Sequence, residues 1–323
     1  MLTNFICNSK ELKKVNNQEL KKYIEKKNIN IWVSISNVTS EEISFLKETF
    51  KMHPTTIEDI FSQQTRVKYE EFEDYTLIIF KGIKEIKKSS VETYNISFVM
   101  GENFVITVNG NKDDIIEELS KNEKRVETLL RRGKDHIVHS ILDKEVDKYL
   151  KIKSELGEEL KHIEREFMEN QNKDTLTKIY SKELNLLELR QLSESTTDLC
   201  LDLTKPADNY INNELIPYFK DVYDHILKTT EGYKSMLGRM NGIKNMYASI
   251  TSLKTNEVMR FLTMIMALMM PLTIITGFYG MNISLPFQDH PSIIWFILAA
   301  MIAFAVTMII ISKKIGWSSK NRE

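Results

Sequence analysis

The residues with the most definite chemistry are Gly280, Met281 and Asn282, which stand where a long apolar run stops. No residue from 261 to 279 is charged. A helix rises about 1.5 Å per residue, so roughly 19 such residues cross the ~30 Å hydrocarbon core of a bilayer. A glycine followed by a polar amide continues a helix poorly and presents carbonyl oxygens at its end. Behind that end, Asn256, Met259, Thr263, Met266, Met270, Thr273 and Gly277 recur at alternating steps of 3 and 4. They form one stripe of polar, small or flexible residues, while Phe261, Leu268, Ile274, Ile275 and Phe278 suit lipid or a second span. Small and hydroxyl residues also pack membrane helices together. An acceptor-rich end on the same helix favours a pore lining instead.

A chain with two spans cannot enclose a pore alone, so the stripe predicts an oligomer. Along it, Thr273 and Asn256 are candidate hydrogen-bonding stations. Met259, Leu262 and Met270 are candidate apolar constrictions, which close by dewetting.

These residues need a frame. A second uncharged span runs from 293 to 311, and the linking segment 283–292 holds no Lys or Arg. Lys254 and Arg260 precede the first span, and Lys313 and Lys314 follow the second. The positive-inside rule then places both termini in the cytosol and the link outside. Upstream, Pro217 suits the first turn of a helix that reaches 279. Unbroken, it is roughly 95 Å long at 1.5 Å per residue. Met236, Met240, Ile243, Tyr247 and Ile250 form a coiled-coil-like seam on it, which predicts pairing between copies. Gly232, Gly238 and Gly242 weaken the helix and allow bending or close approach. Residues 134–204 are rich in Glu, Lys and Leu and read as two long antiparallel helices broken at 170–174; their charge reads as a solvated face.

The region before them mixes strands and helices. Strands are expected at 29–36, 75–80, 94–100 and 104–108, the last two joined as a hairpin at 101–103. Ser40 is a candidate N-cap, Pro54 opens a short helix at 55–61, and 112–132 is helical by pattern. The fold expected is α+β: a cytosolic α/β domain (1–132), a helical hairpin and stalk (133–257), a first span (258–282), an outer link (283–292), a second span (293–312) and a basic tail (313–323).

Composition narrows the function. The chain has 323 residues, 28% of them charged, and a net charge of −1. This balance gives no support for nucleic acid as a partner. Cys7 and Cys200 are far apart and form no metal or redox motif, which suits free thiols in a reducing compartment. The N-terminal residues lack the pattern of a signal peptide, so residues 1–257 are expected to stay in the cytosol. No nucleophile–base pairing, P-loop or metal-ligand spacing suggests an enzyme.

Gly280-Met281-Asn282, preceded by Tyr279 and followed by a second span, resembles the signature of the CorA family of magnesium channels, and the run from Pro271-Leu272-Thr273 to Asn282 is similar to that family too. The segment Gln64-Thr65-Arg66-Val67-Lys68-Tyr69-Glu70 also resembles it, with Val67 where the family usually has Pro. The resemblance implies a homopentameric funnel in the bilayer, with span one inside and Gly280, Met281 and Asn282 as the selectivity filter. Magnesium would be its cargo, with cobalt or nickel as alternatives. Magnesium dehydrates reluctantly, so an entrance should offer neutral oxygens to its waters. Asn282 side-chain carbonyls and the Gly280 carbonyl, repeated round a ring, would do so. A carboxylate ring would bind harder and hinder release.

His53-Pro54…Glu58-Asp59-Ile60 and Tyr218-Phe219-Lys220-Asp221-Val222-Tyr223-Asp224-His225 resemble the family's two contributions to a regulatory magnesium site between subunits. Carried over, Asp59 and Asp221 flank one site, and Glu58, Asp143 and His225 build a weaker one. Asn245 stands where some relatives have an acidic residue near the cytosolic pore entrance. Two rivals remain: a zinc transporter of the same architecture, whose branch has Ile where Met281 stands, and a membrane-anchored coiled-coil sensor, which leaves 279–282 and the stripe unexplained.

Overall fold

In the computed structural model, described residues are 2–8, 11–26, 28–36, 39–62, 64–109, 114–169, 173–205, 210–282 and 292–314. The expected link at 283–292, save Ser292, residues 170–172 of the break expected at 170–174, and the tail from 315 lie outside them, while 173 and 174 already belong to a helix. The chain divides into two compact units, Met1–Ile243 and Lys244–Glu323.

In the first unit, strands β1 (Leu2–Cys7), β2 (Leu12–Val15), β3 (Asn30–Ser36), β4 (Lys68–Glu71), β5 (Tyr75–Ile86), β6 (Val91–Gly101) and β7 (Phe104–Asn109) form one sheet in the order β2-β1-β3-β7-β6-β5-β4. Only β3 and β7 pair in parallel; the other neighbours are antiparallel. Helices α1 (Asn17–Leu20), α2 (Ser40–Phe50), α3 (Pro54–Phe61), α4 (Asp114–Lys121), α5 (Glu123–Arg132), α6 (Asp135–Glu169) and α7 (Lys173–Leu203) surround it. A helix α8 (Ile216–Tyr279) begins in this unit and ends in the other, which also holds α9 (Ile293–Lys314).

Both parities of β5 to β7 are buried because helices cover both faces of the sheet. One face sends Ile31, Val33, Tyr75, Leu77, Ile79 and Ile106 against Leu46 and Phe50 of α2 and Ile60 of α3. On the other, Phe80 meets the Tyr149 ring of α6 at 6.1 Å, and the Tyr149 hydroxyl donates to the Lys81 carbonyl. Such two-sided cover removes the apolar–polar alternation that marks a half-exposed strand.

Several expectations need correction. The sheet is larger than the four runs suggested: β1, β2 and β4 are short and carry Asn, Lys and Glu. Thr39, rather than Ser40, caps α2; its hydroxyl accepts from Glu42 N–H while Glu42 Oε2 accepts from Thr39 N–H at 2.8 Å. The reciprocal pairing requires the acid three residues after the cap, and Glu42 stands three after Thr39. The helix expected at 112–132 is two, because the Asn122 side chain accepts from Arg125 N–H and restarts it.

The seam on α8 is the largest revision. Met236, Met240 and Ile243 are buried within the chain. They continue a run of buried residues at Phe219, Val222, Ile226, Thr230 and Tyr233. Tyr233 donates to the Tyr149 carbonyl at 3.2 Å, the Thr230 and Thr197 hydroxyls lie 3.1 Å apart, and Arg239 donates through Nε and Nη2 to the two carboxylate oxygens of Glu164. This seam therefore serves the chain's own α6 and α7, and only half-buried Tyr247 and Ile250 remain of the face expected to join copies.

Candidate functional site: two groups of carboxylates and the α8 terminus

The His53-Pro54 pair is structural. Pro54 takes the first helical position of α3 and His53 caps it, its Nδ1 accepting from Thr55 N–H at 3.3 Å. Tyr75 holds the cap to the sheet: its hydroxyl accepts from His53 N–H at 2.9 Å and lies 2.8 Å from Thr56 Oγ1. This fixes the start of α3, which carries Glu58 and Asp59. Glu58 is exposed. Asp59 is half-buried and has a partner within the chain: Lys68 Nζ lies 2.6 Å from Asp59 Oδ2 and 2.9 Å from Glu70 Oε2. Burial opposes the Lys68 charge, yet its hydrogen bonds to Asp59 and Glu70 prevail and raise its pKa.

The second group sits where α6 faces the start of α8. Asp221 is exposed, and its Oδ1 lies 3.9 Å from His225 Nε2 one turn on. His225 Nδ1 is buried without a hydrogen-bond partner. Across from them stands half-buried Asp143. Sequence reasoning missed two neighbours, His139 and Asp147, one turn either side of Asp143. The signal was available: the spacing 139, 143, 147 puts three ionisable groups on one face of α6. The groups feel one another. Burial raises the Asp147 pKa, Asp143 and Asp221 raise it further, and His225 opposes them. Burial lowers the His139 pKa, with Asp143 and Asp221 pulling the other way. Carboxylates that repel in this way fit a divalent cation, which would remove the repulsion. Among the described residues of one chain, however, no three His, Cys, Asp or Glu side chains are grouped to hold a metal ion.

In the second unit, α8 and α9 each carry an apolar segment long enough to cross a membrane, and neither segment is buried. Half-buried Met264, Leu268, Pro271 and Ile275 on α8, and Ile293, Ile297, Met301 and Met308 on α9, recur at helical spacing. On each helix these residues lie on one face. Met259, Leu262, Thr263, Met266, Met270, Thr273 and Gly277 are exposed, about half a turn round from the α8 half-buried stripe. A Cβ on Gly277 would meet nothing within 4 Å among the described residues, so its smallness makes room for none of them. Thr263 and Thr273 donate their hydroxyl protons to the Met259 and Met269 carbonyls at 2.8 and 2.9 Å. Each hydroxyl oxygen still has acceptor capacity after that bond.

The helix ends as its residues require. Gly280 N–H donates to the Thr276 carbonyl at 2.9 Å and closes the last turn. A Cβ on Gly280 would stand 3.0 Å from that same carbonyl oxygen, which is backbone and cannot easily give way. Met281 and Asn282 follow, both exposed.

The alternation of 3 and 4 also continues below Asn256, which the sequence reading overlooked. Ser252, Ser249, Asn245, Gly242, Gly238 and Ser235 keep the step, are all exposed and carry no charge. Gly238 and Gly242 face open space. A strict repeat of seven suits helices wound together with a left-handed twist.

A family model described as CorA-like Mg2+ transporter protein matches residues 27–314. The cobalt/magnesium transport protein CorA of Thermotoga maritima is 30% identical over 294 residues, 88% of this chain and 83% of that protein. The complete structure of the CorA magnesium transporter from Methanocaldococcus jannaschii superposes with a TM-score of 0.80 over 98% of both chains, at 21% identity. The ZntB cytoplasmic domain from Vibrio parahaemolyticus superposes with a TM-score of 0.58 over 77% of this chain and 97% of its own, at 12% identity. Those last two likenesses show fold alone. The family match over nearly the whole length, with a relative at this identity and coverage, places the chain in the CorA-like Mg2+ transporter family.

Proposed function

We propose that the chain assembles as a homopentamer and conducts magnesium into the cell, closing when cytosolic magnesium is high. The observation that carries the conduction reading is the exposed, uncharged stripe on α8, turned away from that helix's half-buried face and ending in Gly280-Met281-Asn282. In this reading 258–282 and 293–312 span the membrane, 283–292 is outside, and residues 1–257 and 313–323 are cytosolic.

Five copies put five Asn282 amides and five Gly280 carbonyls round one axis. Neutral acceptors bind the ion's water shell rather than the bare ion, which keeps binding weak enough for release. Thr273 and Asn256 pass the hydrated ion along, and Met259, Leu262 and Met270 close the path by excluding water. Influx follows the gradient and the membrane potential. Asp59 of one copy and Asp221 of the next would hold regulatory magnesium, with Glu58, Asp143 and His225 at a second site. The repulsion among Asp143, Asp147 and Asp221, which a divalent cation would relieve, supports a cation in that region. Magnesium then favours the closed arrangement because it binds that arrangement better.

The test is magnesium uptake into liposomes carrying the purified protein, with cobalt, nickel and zinc in parallel. Magnesium influx that rises with an inside-negative potential is expected. Zinc uptake without magnesium uptake would favour the zinc-transporting alternative, and no uptake of either would favour the coiled-coil sensor.

A further inference from the structure

Asp59 does not wait empty for an ion. Lys68 Nζ sits 2.6 Å from its Oδ2, and the Lys68 side chain is only 14% exposed. The same ammonium lies 2.9 Å from Glu70 Oε2, on the same strand and two residues along. The arrangement is firmly framed. Thr65 Oγ1 donates to the Asp59 carbonyl at 3.1 Å, which ties the end of α3 to the turn before β4. Lys68 itself pairs across the sheet with Ile79. One cation thus serves two carboxylates on adjoining elements.

We propose that Lys68 is a resident competitor for the divalent cation at Asp59, and that its shared hold on Glu70 sets the magnesium concentration at which the sensor fills. The proposal rests on the reading of Asp59 as a sensor carboxylate. A divalent ion at Asp59 meets an ammonium already within hydrogen-bonding distance, and two cations that close repel. Binding therefore requires Lys68 to leave Asp59. Glu70 makes that exchange inexpensive, since Lys68 keeps an ion pair after it turns away. The site is thereby set for an ion present at high concentration: a trace cation does not outcompete a tethered lysine, but an abundant one does by mass action.

Two substitutions move the threshold in opposite directions. Lys68→Met removes the competing charge and keeps the length of the stem. Glu70→Gln removes the second anchor and leaves Lys68 wholly with Asp59. The test titrates magnesium against the full-length protein in detergent and reads protection from protease, alongside thermal unfolding without magnesium to confirm that each variant folds. Lys68→Met should lower the half-protecting magnesium concentration about fivefold, equivalent to about 1 kcal/mol at 1.4 kcal/mol per factor of ten. Glu70→Gln should raise it. Asp59→Ala serves as the reference. If Asp59→Ala weakens protection but a folded Lys68→Met variant leaves the midpoint unchanged or higher, Lys68 merely braces the turn and the proposal is overturned. If Asp59→Ala itself changes nothing, the sensor reading falls and takes this inference with it.

Discussion

At the scale of single residues, exposure separates those that build the chain from those that face outward. Gly280 is confined by the Thr276 carbonyl, whereas Asn282 is exposed. An exposed side chain away from a cap or core contributes little to folding. Asn282→Ala should therefore leave thermal stability and assembly within experimental error of the parent. Magnesium flux should fall about tenfold, which corresponds to about 1.4 kcal/mol in the barrier. Undiminished flux through the variant would exclude Asn282 from the entrance. Gly280→Ala would be less informative, because its methyl group strains the helix end whatever the pore does. The carboxylates divide in the same way. Glu58 and Asp221 are exposed, while Asp59 is already engaged by Lys68. A motif specifies residue types, but a competing lysine nine positions away comes next to Asp59 only when β4 joins the sheet.

At the scale of elements, the parts set by local chemistry were legible in the sequence. α8 and α9 followed from length and apolarity, and the α6–α7 hairpin from a long stretch free of proline. β1, β2 and β4 were not legible, because their pairing comes from distant strands and their own residues include Lys, Asn and Glu. The seam on α8 was read correctly as apolar and assigned the wrong partner. Spacing shows that a face is to be buried but does not show against what, and α6 with α7 reaches Met236 and Met240 within one chain. Met240, 2% exposed, tests this directly. Met240→Ala should destabilise the first unit by about 2–5 kcal/mol, as for other large side chains deleted from a core. Gly242→Ala adds a methyl group into open space and improves helix propensity by about 1 kcal/mol, so it should not destabilise the chain. Thermal unfolding of the two variants in detergent distinguishes them. A Met240→Ala protein as stable as its parent would return the seam to the interface between copies.

At the scale of the whole molecule, charge flanking the spans predicts the orientation across the bilayer, and the native thiols make it testable. Cys7 and Cys200 are free and buried, 3% and 1% exposed. Burial raises the Cys7 pKa, and it pushes Cys200 up to about 12. The thiolate is the reactive form, so at neutral pH both should be nearly silent toward a maleimide. A single introduced cysteine then reports its own side of the membrane without removal of the native pair. Gln288 and Ser318 lie outside the described residues, and each belongs to a segment whose side is predicted by the placement of Lys254, Arg260, Lys313 and Lys314. Gln288→Cys should react with a membrane-impermeant maleimide on intact cells. Ser318→Cys should react only after the membrane is opened. Labelling of Ser318→Cys on intact cells, with Gln288→Cys protected, would reverse the orientation. The carboxylates of the first unit would then face the outside, where cytosolic magnesium cannot reach them.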